Sequence, residues 1–132
     1  MLQIPPHLLD IAYVGKHFPG ANWEGGLAAG ANCQVFAYAL LNHYGIVVPP
    51  FRSSDLWEDQ TVSQRVTDLK PLDLLLWNRT TVAWGAHVGV YLGEGKAVHL
   101  SKQIGKPVIW SLARFMEEPL YHVFIGGKRI LS

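Results

Sequence analysis

The stretch HVGVYLGEGKAVHLS, residues 87–101, limits the possible folds of this 132-residue chain more than any other. Two runs rich in valine, leucine and tyrosine flank a tight turn containing Gly93 and Gly95, the signature of a β-hairpin. Side chains alternate between the two faces of a strand. His87 and His99, one on each arm, are therefore near cross-strand neighbours placed to face the same side. Gly89, between Val88 and Val90, marks a close backbone approach within the strand.

The rest of the second half continues in the same way. DLLLWN is a short apolar run, and KPVIWSL and YHVFIGGKRIL supply two further strands with a short helix, LARFMEE, between them. The first half predicts helices. HLLDIAYVG has apolar residues at helical spacing and stops at Gly15. SSDLWED predicts a short helix capped by Ser53 or Ser54, and TVSQRVTDL another that ends before Pro71. Helices followed by an antiparallel meander indicate an α+β fold, expected as one domain over residues 1–132.

Composition excludes several classes. Nearly half the residues are apolar and 16% are charged, which suits a packed globule rather than disorder. A formal charge of +1 gives no basic excess for binding nucleic acid. No run approaches the roughly 18 apolar residues that suggest a membrane span. The start, MLQIPPHLLDIAYVGKHFPG, has no basic residue before Lys16, and Pro5 and Pro6 interrupt its apolar run, so no signal peptide is read there. The expectation is a chain made in the cytoplasm.

The only cysteine, Cys33, follows a glycine-rich loop, GANWEGGLAAGAN. Asn32 is a suitable N-cap for a helix running through CQVFAYALLNHY to Gly45. At the first helical position the unpaired amides and the helix dipole favour thiolate over thiol, as a cysteine nucleophile requires. With His87 as base and His99 as orienter, the parts of a nucleophilic triad are present. Two other readings of the same residues are a packing cysteine with structural histidines, and a metal site lacking a fourth ligand. His7, His17, His43 and His122 read as surface or packing residues.

The segments WEGG, NCQV, HYG, PPFRSS, KPLDLLLW, HVGVYLGEGKAVHLS and PVIWSL occur in that order. In that succession the chain resembles the NlpC family of papain-like cysteine peptidases, the bacterial peptidoglycan endopeptidases. The resemblance covers roughly residues 20–115, and the hairpin is its most specific part. It implies a papain-like fold, with the nucleophile helix packed on a C-terminal antiparallel sheet. It implies Cys33 as nucleophile, His87 as general base, His99 as the residue orienting His87, and the Cys33 amide as an oxyanion donor. No cofactor or metal is implied.

Three positions depart from the family pattern. Asn32 stands where aspartate is usual, Gln34 where serine is usual, and Asn22 or Trp23 where a tyrosine precedes the glycine pair. In the family these positions hold substrate and, in some members, the free amine of a stem peptide. Asn22, Trp23, Glu24, Asn32 and Gln34 are thus the candidate substrate-binding residues, with Glu24 as a replacement charge. An asparagine amide cannot pair with an ammonium as a carboxylate does.

The expected activity is amide hydrolysis in the peptide stems of peptidoglycan through an acyl-enzyme. The wall lies outside the membrane, so action after export, lysis or phage delivery is expected, as a secreted toxin or a phage enzyme. An immunity protein or secretion machinery would then be the partner. Two alternatives are a papain-fold acyltransferase acting on lipid or amine, for which Trp23, Trp57, Trp77, Trp84 and Trp110 would supply an apolar site, and a catalytically inactive binding module.

Overall fold

The computed structural model describes residues 1–131. Helix α1 spans Cys33–His43, α2 Ser53–Glu58 and α3 Leu112–Glu117. The strands are β1 Ser63–Val66, β2 Leu74–Asn78, β3 His87–Gly93, β4 Lys96–Leu100, β5 Pro107–Ser111 and β6 Val123–Ile130. They form one antiparallel sheet in the order β1-β6-β2-β3-β4-β5. Strands β2 to β5 are the expected meander, and β6 crosses back to pair with both β2 and β1. This is the α+β, papain-like arrangement. No helix among the described residues is long and apolar enough to cross a membrane.

Both faces of the central strands are covered, which is why DLLLW is a continuous apolar run rather than an alternating one. On one face Phe36, Ala37, Leu40 and Leu41 of α1 pack against Leu74, Leu76, Val88, Val90, Val98 and Leu100. On the other, Leu75, Trp77 and Ala97 pack with Phe115 of α3 and with Tyr121. By alternation His87 and His99 belong to this second face, away from the body of α1.

Two predicted helices are absent. HLLDIAYVG contains only a short 3-10 turn at Pro6–Leu8. Beyond it the backbone bonds to distant segments: Tyr13 N–H to the Gly105 carbonyl, and Val14 N–H to the Ala31 carbonyl. Leu8 and Ile11 are buried as a helix face would bury them, but through a turn and an extended segment. Gly30 permits this close pairing, since a Cβ there would stand 2.4 Å from Val14 Cγ2. TVSQRVTDL is not a helix either; within it, Ser63–Val66 form edge strand β1 on β6. Pairing with β6 outweighs local helix propensity, and the β-branched Thr61, Val62, Val66 and Thr67 suit extended backbone. The start of α2 also differs. Arg52 is its cap residue, with its N–H donating to the Asp55 carboxylate at 3.1 Å, while the Ser53 hydroxyl accepts the Ala86 N–H at 3.2 Å.

Candidate active site

Asn32 determines where α1 begins. Its side-chain oxygen accepts the N–H groups of Gln34 at 3.0 Å and Val35 at 2.9 Å. The Phe36 N–H bonds the Asn32 carbonyl. Among the first amides of the helix, that of Cys33 is left without a carbonyl or side-chain oxygen among the described residues. Cys33 is half-buried and its thiol lies against the amide of Val88, the residue after His87.

The hairpin brings the two histidines together. Val90 pairs with Val98, so His99 stands across from Gly89 and diagonal to His87. A Cβ at position 89 would lie 2.9 Å from the Val98 carbonyl oxygen, 3.0 Å from Trp77 Cζ3 and 3.3 Å from His99 Cβ. Only glycine leaves the rings room to meet. His87 Nε2 and His99 Nδ1 are 2.8 Å apart and share a hydrogen bond. The His87 ring stacks on Tyr121 at 4.3 Å, and His99 sits against Trp110 at 4.3 Å and Phe115 at 4.6 Å. His99 is fully buried, and its Nε2 has no hydrogen-bond partner among the described residues.

Cys33 and His87 line one cavity of about 440 Å³. Burial holds His87 well below the usual histidine value, and the neighbouring His99 adds to this. Burial lowers His99 to about 3. Burial also pushes the Cys33 thiol up, while the amides of Val88, Gln34 and Cys33 and the Arg52 guanidinium pull it back. The helix start does favour thiolate, as expected, but desolvation outweighs it. Burial thus favours the uncharged form of both groups, thiol at Cys33 and neutral imidazole at His87.

The candidate substrate-binding residues do not converge on this cavity. Asn22 and Glu24 are exposed on the glycine-rich loop. Trp23 stacks on His17 at 4.4 Å and donates its indole N–H to the Gly26 carbonyl. Asn32 is occupied as the cap, and the buried Gln34 donates to the Tyr38 hydroxyl and the Phe51 carbonyl. Instead the cavity is lined by Tyr13, Tyr121 and Leu120, and by Asn78, Arg79 and Trp84 at the two ends of the β2–β3 loop. Apart from Trp84, named only within the tryptophan set, none of these was singled out from the sequence. Tyr13 fell in a segment read as helix, and nothing local marks Tyr121. Trp84 lies three residues before His87, a proximity that is the one available signal. The tryptophans form no common apolar site: Trp77 stacks on Phe115 in the core, Trp57 lies under Arg65, and only Trp84 reaches the cavity. No set of three or more histidine, cysteine, aspartate or glutamate side chains is gathered to hold a metal among the described residues.

A papain-like α+β fold, with a thiol at a helix start and a paired imidazole on the facing strand, defines the class. The NlpC/P60 family model matches residues 21–123, and the chain belongs to that family. Solved structures agree on the fold. An NlpC/P60 family protein from Bacillus cereus superposes with a TM-score of 0.61 at 20% identity, over 91% of this chain and 37% of that one. The NlpC/p60 domain of the peptidoglycan hydrolase SagA gives 0.56 at 22%, over 83% and 84%. NlpC2 from Trichomonas vaginalis gives 0.65 at 16%, over 96% and 43%. The chain thus spans well under half of the Bacillus and Trichomonas proteins. No curated protein matches the sequence.

Proposed function

We propose that this protein is a cysteine hydrolase that cleaves amide bonds in the peptide stems of peptidoglycan. The observation that carries the reading is the 2.8 Å His87–His99 bond, made beside a cavity that Cys33 also lines. Membership of the NlpC/P60 family and the likeness to the domain of the peptidoglycan hydrolase SagA support the choice of substrate.

The mechanism follows from the nitrogens. His87 Nε2 is engaged with His99, which leaves Nδ1 as the nitrogen free for the cleft. For Nδ1 to accept the thiol proton, the resting proton of His87 sits on Nε2 and donates to His99 Nδ1. His99 then carries its own proton on Nε2, which is buried without a hydrogen-bond partner among the described residues. Cys33 attacks the scissile carbonyl as its proton passes to His87. The free Cys33 amide receives the developing oxyanion. His87 returns the proton to the leaving amine, and water, activated by the same imidazole, releases the acyl group.

No carboxylate among the described residues lines the cavity, so the usual capture of a free stem amine has no partner there. Stems still attached to glycan, with their amine blocked, should therefore be cleaved as well as, or better than, free peptides. The test is digestion of purified peptidoglycan with mass analysis of the fragments. Stem cleavage by wild type and none by Cys33→Ala is expected; intact stems after prolonged digestion would leave the binding-module reading.

A further inference from the structure

We propose that Arg79 forms a carboxylate subsite beside Cys33, so that the preferred substrate carries a free carboxylate next to the scissile amide. This deepens the hydrolase reading and rests on it. The chain has five arginines, and four have their guanidinium groups engaged. Arg52 lies over the Phe18 ring at 4.2 Å, Arg65 over Trp57 at 4.0 Å and Arg114 over Trp110 at 4.6 Å. Arg129 clasps Asp73 through two bonds of 2.8 Å. Among the described residues the Arg79 side chain has neither an ion pair nor a ring beneath it, and it lines the catalytic cavity.

Its placement is built rather than incidental. Asn78, the last residue of β2, bonds the loop at both ends. Its Oδ1 accepts the Arg79 N–H at 2.9 Å, and its Nδ2 donates to the Val82 carbonyl at 2.8 Å and the Trp84 carbonyl at 3.4 Å. This holds the start of the loop at the cavity rim. The remaining lining is thiol, phenol, amide, indole, neutral imidazole and apolar groups, so among the described residues Arg79 is the only cationic side chain facing it. A single uncompensated guanidinium selects an anion, and its planar fork matches a carboxylate. Glu24, the residue that would have selected an amine, is exposed and outside the cavity.

The test uses two synthetic stem peptides, identical except that the carboxylate flanking the scissile amide is a carboxamide in one. Hydrolysis is measured for wild type, Arg79→Gln and Arg79→Lys, and binding to Cys33→Ala with and without Arg79→Gln. Wild type should favour the carboxylate peptide by about tenfold, mainly through KM, as expected for one charge-assisted contact at a solvent-open rim. The preference should shrink with added salt, fall to near unity in Arg79→Gln and recover in part in Arg79→Lys. An unchanged preference in Arg79→Gln, or none in wild type, overturns the subsite while leaving the hydrolase reading intact. An Arg79-dependent binding preference in Cys33→Ala, with no hydrolysis by wild type, supports the subsite and overturns the hydrolase. Peptides neither bound nor cleaved overturn both.

Discussion

Cys33, His87 and His99 carry unequal shares of the proposed chemistry, and substitution should rank them. Cys33→Ala and Cys33→Ser should abolish hydrolysis with the fold intact, since the cap on α1 comes from Asn32. His87→Ala should be nearly inactive, because no other base among the described residues lines the cavity. His99→Asn should keep measurable activity, since an amide oxygen can still accept from His87 Nε2. Active His87→Ala with inactive His99→Asn would reverse the roles. Burial adds a pH signature. A histidine held neutral in the fold binds its proton more readily when unfolded, so its contribution to stability is complete above about pH 6.5 and is lost as pH falls towards the folded value of about 3. For His99 the slope is up to about 1.4 kcal/mol per pH unit across that window. Chemical denaturation at several pH values should show His99→Asn with a flatter acid profile than wild type. The lowered value of His87 also puts the acid limb of activity below pH 6.5.

At the scale of elements, the β3–β4 hairpin sets the geometry, and Gly89 is its most sensitive point. In Gly89→Ala the new methyl meets the Val98 carbonyl and the Trp77 ring near 3 Å, one of them backbone that cannot rotate away. Thermal unfolding should show a loss of about 1–3 kcal/mol. Hydrolysis should fall further than that loss explains, because the same methyl presses on His99. The hairpin and α1 were legible in the sequence because local rules govern them: a turn with Gly93 and Gly95, period-two apolar residues, an Asn cap and Gly45. The segment Leu8–Val14 was not, because its backbone partners, Ala31 and Gly105, are remote in the chain. The same holds for β1, whose partner β6 lies about sixty residues on.

Across the molecule, the sheet separates two cores, and the site forms where α1 meets the start of β3. Strand β6 is tied to the head of β2 by an ion pair. Buried Asp73, at the head of β2, is clasped by Arg129 of β6 and also accepts the Lys70 N–H. Arg129→Met leaves that carboxylate unpaired and should cost about 3 kcal/mol in denaturant unfolding, with the catalytic constants of the surviving folded fraction unchanged. The motifs carrying the triad candidates were readable because each is local and chemically distinctive. Most of the cavity wall was not: Tyr13, Arg79 and Tyr121 come from three separate loops, Trp84 shares the loop of Arg79, and only the tertiary fold brings them together.

The central claim is that Cys33 passes an acyl group from a stem peptide to water. Turnover of a blocked stem peptide in heavy-oxygen water tests it directly. The newly formed carboxylate should carry one heavy oxygen, with neither cleavage nor label in Cys33→Ala. Cleavage that persists in Cys33→Ala, or an acyl group recovered on an added amine in place of water, would contradict it.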